Sequence, residues 1–249
     1  IAFDTGNGNH NNNSSSSNSS PESSEEGGNA AAGGLLVAQN AFEDPQRGAI
    51  IHGVPFGSAE FIRSENRSTV QRAIECTRVI ATSKLNNYHK VRIVRMCVIS
   101  QLGFMAQVTP IPTSLEELTR FDNALRQSAG MLFGFGFDDT QWLQATQPVR
   151  MGGLGLTPMA LTARALHLKA QATAAKIARV QLASDFNEVI QQFNALVRKD
   201  DQKLPADVDA AATALISKSG REIAQPLFEK RHEELFNNQN LCPTDKAKL

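Results

Sequence analysis

The sequence predicts an all-α protein: an irregular multi-helix bundle behind a disordered, Asn/Ser-rich N-terminal tract. Three observations carry this expectation. Beyond about position 68, apolar residues recur at three- and four-residue spacing, the period of a helix with one buried face. Proline and glycine clusters such as "TPIPTS" and "GFGFDD" interrupt that period at intervals. Ahead of it, "GNGNHNNNSSSSNSSPESSEEGGNAAAGG" has almost no apolar side chains with which to offset its ordering entropy.

Taken in order, residues 1 to about 34 are low in complexity, and 1–48 is assigned to the disordered tract. His10, alone among asparagines, reads as a composition effect and not as a metal ligand. "AIIHGVPFGS" holds a brief strand over Ala49–His52, ended by Gly53 and Pro55. Ser68 with Gln71 forms a capping box for a first helix, whose stripe is Val70, Ile74, Thr77, Ala81 and Leu85. "KLNNYHK" breaks it. A second helix from about Tyr88 to Gln107 is apolar on most sides, which predicts a central position. Two prolines stop it, and Ser114 with Glu117 opens a third helix carrying Leu115, Leu118, Phe121, Leu125 and Leu132. A short helix spans Thr140–Thr146. The glycine stretch "PVRMGGLGLTP" follows, then an Ala-rich helix from Pro158 to about Leu182. Helical segments near 185–198, 206–218 and 221–237 complete the chain, with Pro226 kinking the last or delaying its start. The expected layout is two helical layers joined at the glycine stretch, divided as 49–147 and 148–249.

Bulk properties narrow the function. The 249 residues carry 25 basic and 25 acidic side chains, so the chain is not a wholly basic nucleic-acid binder. Cys76, Cys97 and Cys242 are too few and too dispersed for a disulfide framework. They fit a reducing compartment, with Cys76 and Cys97 as small core residues. No charged segment followed by an apolar one marks a secretory signal, so an intracellular, non-secreted protein is expected. Val91–Val108 contains Arg92, Arg95 and Gln101 and reads as a buried helix, not a membrane span. The chain starts at Ile1 and reads as a piece of a longer product.

Catalytic patterns are weak throughout. "GGLGL" fits neither dinucleotide-binding nor P-loop spacing, and no strand precedes it. It reads as a tight backbone crossing against a neighbouring helix, with Leu154 and Leu156 dipping into the core. Asp138 and Asp139 resemble a metal-holding pair, but "TQWLQ" follows them. Asp138, Asp139 or Thr140 therefore reads as the cap of the helix bearing Trp142. Cys76, His89 and Cys97 lack zinc spacing, and "RHEEL" is not a zinc-protease motif.

Charge is uneven along the chain. Between Ala59 and Ser100 lie Arg63, Arg67, Arg72, Arg78, Lys84, Lys90, Arg92 and Arg95 against Glu60, Glu65 and Glu75. Eight minus three gives +5. Arg92 and Arg95 share a helix face, one turn beyond Tyr88, His89 and Lys90. That face reads either as an ordinary solvated surface or as a track for a phosphate backbone, without base readout.

The succession "GVPFGSAEFI", a basic helix, "RIVRMCVISQLGFMAQVTPIP", "FDNALRQSAGMLFG" and "QPVRMGGLGLTPMALTARALHLKAQ" resembles a known one. It is similar to the region just after the polymerase palm in reverse transcriptases of non-long-terminal-repeat retrotransposons. The resemblance covers about Gly53 to Ala172, and "PVRMGGLGL" is its most specific part. It implies the thumb and helical connection of an RNA-directed DNA polymerase, contacting the backbone of an RNA–DNA or DNA template–primer duplex. Arg92, Arg95 and Lys90 would face the duplex. Gly53, Pro55, Gly57, Pro148, Gly152, Gly153 and Gly155 would be structural. The family's Phe/Tyr-x-Asp-Asp should precede "GVPFGS" and does not, whereas "GFDD" at Gly136–Asp139 follows it. The resemblance thus implies a non-catalytic fragment with no cofactor of its own. Magnesium belongs to the missing palm, and the partners are the duplex and the fingers and palm of the same polypeptide. A helical protein–protein interaction module without a nucleic-acid role is the alternative.

Overall fold

The computed structural model describes residues 48–182 and 184–237, all within the unit Gln39–Leu249. Residues 1–47 of the expected disordered tract, with His10, and Cys242 lie outside the described residues, while Gly48, the last position of that tract, opens a strand. The described chain is helical apart from one hairpin. In it β1 (Gly48–Ile51) pairs antiparallel with β2 (Val54–Gly57), with Ile51 opposite Val54 and Gly48 opposite Gly57. His52 (φ 51°) and Gly53 (φ 79°) both take positive φ, the conformation of a two-residue turn that matches strand twist. The sequence predicts only the first strand. Pro55 argues against a second, but in a two-stranded sheet every strand is an edge and tolerates a missing N–H.

Helix α1 (Ala59–Thr82) starts nine residues ahead of the expected capping box. Ser58 caps it, its hydroxyl accepting from the Phe61 N–H at 3.1 Å. Ser68 and Gln71 sit on its exposed side. Asn66, Val70, Ala73, Thr77 and Ala81 form the buried stripe. Leu85, expected in that stripe, falls beyond the helix end and is exposed.

The predicted second helix is one rod in three parts: α2 (Asn87–Ile93), a π-turn (Val94–Val98) and α3 (Ile99–Val108). Asn86 caps it, accepting from the His89 N–H at 2.9 Å. Its burial is one-sided, contrary to a helix buried all round. Val94, Val98, Leu102, Met105 and Ala106 face the core, while Tyr88, Met96, Cys97 and Phe104 are exposed. By length and composition alone, this rod is the one described helix apolar enough to cross a membrane. Cys76 is exposed like Cys97, so neither is the expected core residue.

α4 (Ile111–Phe133) starts at Ile111 and not at Ser114. Pro112 fills a first-turn position where no N–H is needed and φ is already helical. Ser114 is fully buried, its hydroxyl donating back to the Pro110 carbonyl, and Glu117 turns to two arginines. α4 ends on Gly134 (φ 79°), whose N–H donates to Gly130. α5 (Asp139–Ala145) carries a complete capping box between Asp138 and Gln141.

The Ala-rich α6 (Met159–Ala178) is the hub. It touches α3 and α4 as well as α7 (Phe186–Leu196), α8 (Val208–Ser217) and α9 (Gly220–Asn237). Its N-terminus has no local side-chain cap. Asp122 of α4 supplies one, accepting from the N–H groups of Met159 (2.8 Å) and Ala160 (3.0 Å). α9 includes Pro226 in its interior, so that proline does not delay its start. Ser219 and Glu222 exchange hydrogen bonds at its start, a capping box. A single hydrophobic cluster extends from Val70 through Phe121 and Leu168 to Phe228.

Candidate nucleic-acid interface

The glycine stretch is held against the end of α5. A 3-10 turn, Val149–Met151, closes on Gly152 (φ 80°), and the chain then folds back. Leu154 donates to the Ala145 carbonyl at 3.0 Å and Gly155 to that of Gln147 at 2.9 Å. A Cβ at Gly153 would stand 2.1 Å from the Gln147 oxygen and 2.6 Å from that of Gln144, so no side chain fits there. Leu156 is buried beyond it.

Gly155, at φ +69°, faces the second part of the site. A Cβ there would lie 2.9 Å from Arg95 Nε and 3.1 Å from its Cζ. The Arg95 guanidinium therefore packs directly over the Gly155 backbone. Arg95 itself projects from the π-turn, where the Ile99 N–H reaches back five residues to Val94. The Ser100 hydroxyl donates to the Arg95 carbonyl at 3.3 Å. Such wide turns recur at functional positions because they displace side chains from the regular helical register.

Arg92 lies beside Arg95. Both border a cavity of about 400 Å³ with Tyr88, Met96, Phe133 and Val149, and Gly153 is on its wall. The Arg92 Nε contacts Met96 Sδ at 3.5 Å. A second cavity, of about 650 Å³, shares Arg95, Met96 and Val149 with the first and adds Arg150 and Arg221. Neither cavity is lined by an Asp or a Glu. Among the described residues, Arg92, Arg95, Arg150 and Arg221 make no ion pair.

Lys90 departs from the expected exposed cation. It is 8% exposed, and its ammonium donates to the Ala81 carbonyl at 2.8 Å, closing the end of α1. Other members of the basic segment are also engaged. Arg67 pairs with Glu117 (2.9 Å) and Arg78 with Glu75 (3.2 Å). Glu117 holds Arg120 at 2.9 Å with its second oxygen, and Arg120 also bonds Gln71. The Glu117 carboxylate raises the Arg67 pKa above the usual value, chiefly by accepting its hydrogen bond. The charge surplus is thus narrower than the sequence count, and its unpaired part includes the ridge of Arg92 and Arg95.

Gly53 and Pro55 lie elsewhere, around a cavity of about 330 Å³ between the hairpin, α1 and α3. Gly57 closes the hairpin register at φ 144°. Pro148 lines the larger arginine cavity. Asp139 pairs with Arg126 at 2.8 Å, and Asp138 is the α5 cap, so both aspartates have structural partners. Among the described residues no group of three His, Cys, Asp or Glu side chains is placed to hold a metal.

Sequence reasoning misses Arg150 and Arg221. Arg150 stands inside the glycine stretch, its one sequence signal. Arg221 reaches the cavity only because α9 folds back against α6, from 71 positions along the chain. Guanidinium groups without carboxylate partners can bind anions and nothing more: they neither titrate near neutrality nor attack a substrate. Comparison of the chain with family models, with curated proteins and with solved structures gives no match.

Proposed function

We propose that this chain is the thumb and helical connection of a retroelement-type RNA-directed DNA polymerase, a non-catalytic part that holds the template–primer duplex by its phosphate backbone. The observation that carries the reading is the meeting of Arg92 and Arg95 with the glycine stretch, on a surface lined by no carboxylate. The segment order in the sequence is what ties that surface to a polymerase. Guanidinium contacts to phosphate position a duplex without reading its bases, which suits an enzyme that must copy any sequence. In such an enzyme the magnesium-holding carboxylates belong to the palm, so this part binds and does not synthesise.

Fluorescence anisotropy with a labelled RNA–DNA hybrid tests the reading. Replacing Arg92 and Arg95 together with Glu should weaken binding at least about tenfold, since each charged hydrogen bond is worth about 1.5–3 kcal/mol. Replacing Arg63 and Arg72, on the other basic helix, should matter less. Equal losses in the two pairs, or none in either, would contradict it. A second reading has its own support: Tyr88 (68% exposed), Met96 (62%) and Val149 (56%) make the same surface partly apolar. A helical protein-interaction module would use those residues and be indifferent to the arginines.

A further inference from the structure

The larger cavity has a feature that backbone contact with a duplex does not require. Its three cations come from three separate segments: Arg95 from the π-turn, Arg150 from the glycine stretch and Arg221 from the first turn of α9. The rest of the lining is largely apolar and includes Ile99, Met159, Leu166 and Phe228. The volume, about 650 Å³, is that of a small-molecule site. The cations are also kept available. Arg150 donates to Gln225 Oε1 at 2.9 Å, a neutral partner. Glu229, the carboxylate whose field reaches Arg150, is occupied by Gln225 (2.6 Å) and Gln202 (2.7 Å). Glu222, adjacent to Arg221, is occupied by Ser219. The Arg95 side chain passes close over the Gly155 backbone and makes no ion pair among the described residues.

A duplex presents its phosphates on a convex surface and keeps its bases stacked inside. A cavity whose lining combines guanidinium groups with apolar side chains suits a ligand that brings both a phosphate and a ring. We infer that this cavity binds a nucleoside monophosphate unit, its phosphate among Arg95, Arg150 and Arg221 and its base against the apolar side chains. The unit is either a free nucleotide or the 5′-phosphorylated end of a strand. The inference goes beyond the duplex reading and does not rest on it, because Arg150 and Arg221 lie outside the Arg92 ridge.

Isothermal titration of the full chain with adenosine 5′-monophosphate, adenosine and inorganic phosphate tests it. The monophosphate should bind at least about tenfold tighter than either of its parts, as expected when charged hydrogen bonds and apolar burial act together. Replacing both Arg150 and Arg221 with Ala should weaken the monophosphate about tenfold or more and leave adenosine unchanged. Both side chains are exposed, and a thermal melt matching the parent shows that the fold is kept. The single variants R150A and R221A, in separate segments, give the same comparison if the double variant is unstable. A 5′-phosphorylated trinucleotide that binds tighter than the monophosphate assigns the site to strand ends, and weaker binding assigns it to free nucleotides. Monophosphate binding no tighter than inorganic phosphate, or unaffected by loss of the two arginines, would overturn the inference. Arg92→Gln, which adds no carboxylate beside Arg95, should leave monophosphate binding intact whatever it does to the duplex, so the two readings fail separately.

Discussion

At Gly153 a methyl group has nowhere to go, because two carbonyl oxygens of the α5 end already occupy its place. Gly153→Ala should destabilise the fold by about 1–3 kcal/mol, the cost of overpacking, as read by chemical denaturation. Gly134→Ala is the control. Its φ of 79° is strained for alanine but nothing lies within 4 Å, so a cost of about 1 kcal/mol is expected. Asp122 offers a second test. Burial pushes its carboxyl up to about 6, against the pull of the two N–H groups it accepts and of Arg231. A folded-state pKa above the ordinary 3.8 means that the folded chain binds the extra proton. Stability from this group is therefore present at about pH 4, is lost as pH rises to about 6, and is constant above that. The loss should reach about 2–3 kcal/mol. Denaturation at pH 4 and pH 7 should show that slope in the parent chain and not in Asp122→Asn.

At the scale of elements, helix existence was readable and helix starts were not. The apolar period gave α1, α4 and α6 because burial of one face imposes it whatever the ends do. The starts depend on which hydroxyl or proline reaches an unpaired N–H first, and several candidates stood close together. Ser58 caps α1 in place of Ser68, Pro112 lets α4 begin before Ser114, and Ser219 with Glu222 opens α9 unnoticed. The α5 cap is legible to within Asp138, Asp139 and Thr140, and the hydrogen bonds between Asp138 and Gln141 select the first. Of the candidate site, Arg92, Arg95 and the glycines could be picked out because they are local in sequence. The carbonyl that takes Lys90 could not, nor could the fold-back that brings Arg221 to Arg95, since both are set by tertiary packing. Helix ends are also closed from a distance by lysines. The Lys169 ammonium on α6 donates to the carbonyls of Leu215 (2.8 Å), Ile216 (2.9 Å) and Lys218 (2.6 Å) at the end of α8. Lys169→Met should cost about 2 kcal/mol and speed amide exchange in α8 first, because the last-turn carbonyls lose their donor.

For the molecule as a whole, the hub position of α6 means that one core serves the segments on both sides of the glycine stretch. Trp142, edge-on to Phe137 at 5.9 Å, reports from one side, and far-ultraviolet dichroism reports all the helices. The two denaturation curves should coincide if the core unfolds as a unit. The glycine stretch brings together the α5 end, the Arg95 guanidinium and the entry to α6. On this account the contact of the arginine ridge with nucleic acid is electrostatic. The most direct test is the salt dependence of RNA–DNA hybrid binding for the parent chain and for R92E/R95E. Each neutralised phosphate contributes a slope of about −0.9 in log affinity against log salt, so the variant should be shallower by about 2. A parent affinity that ignores salt, or a slope unchanged by the two substitutions, would contradict a phosphate-gripping role.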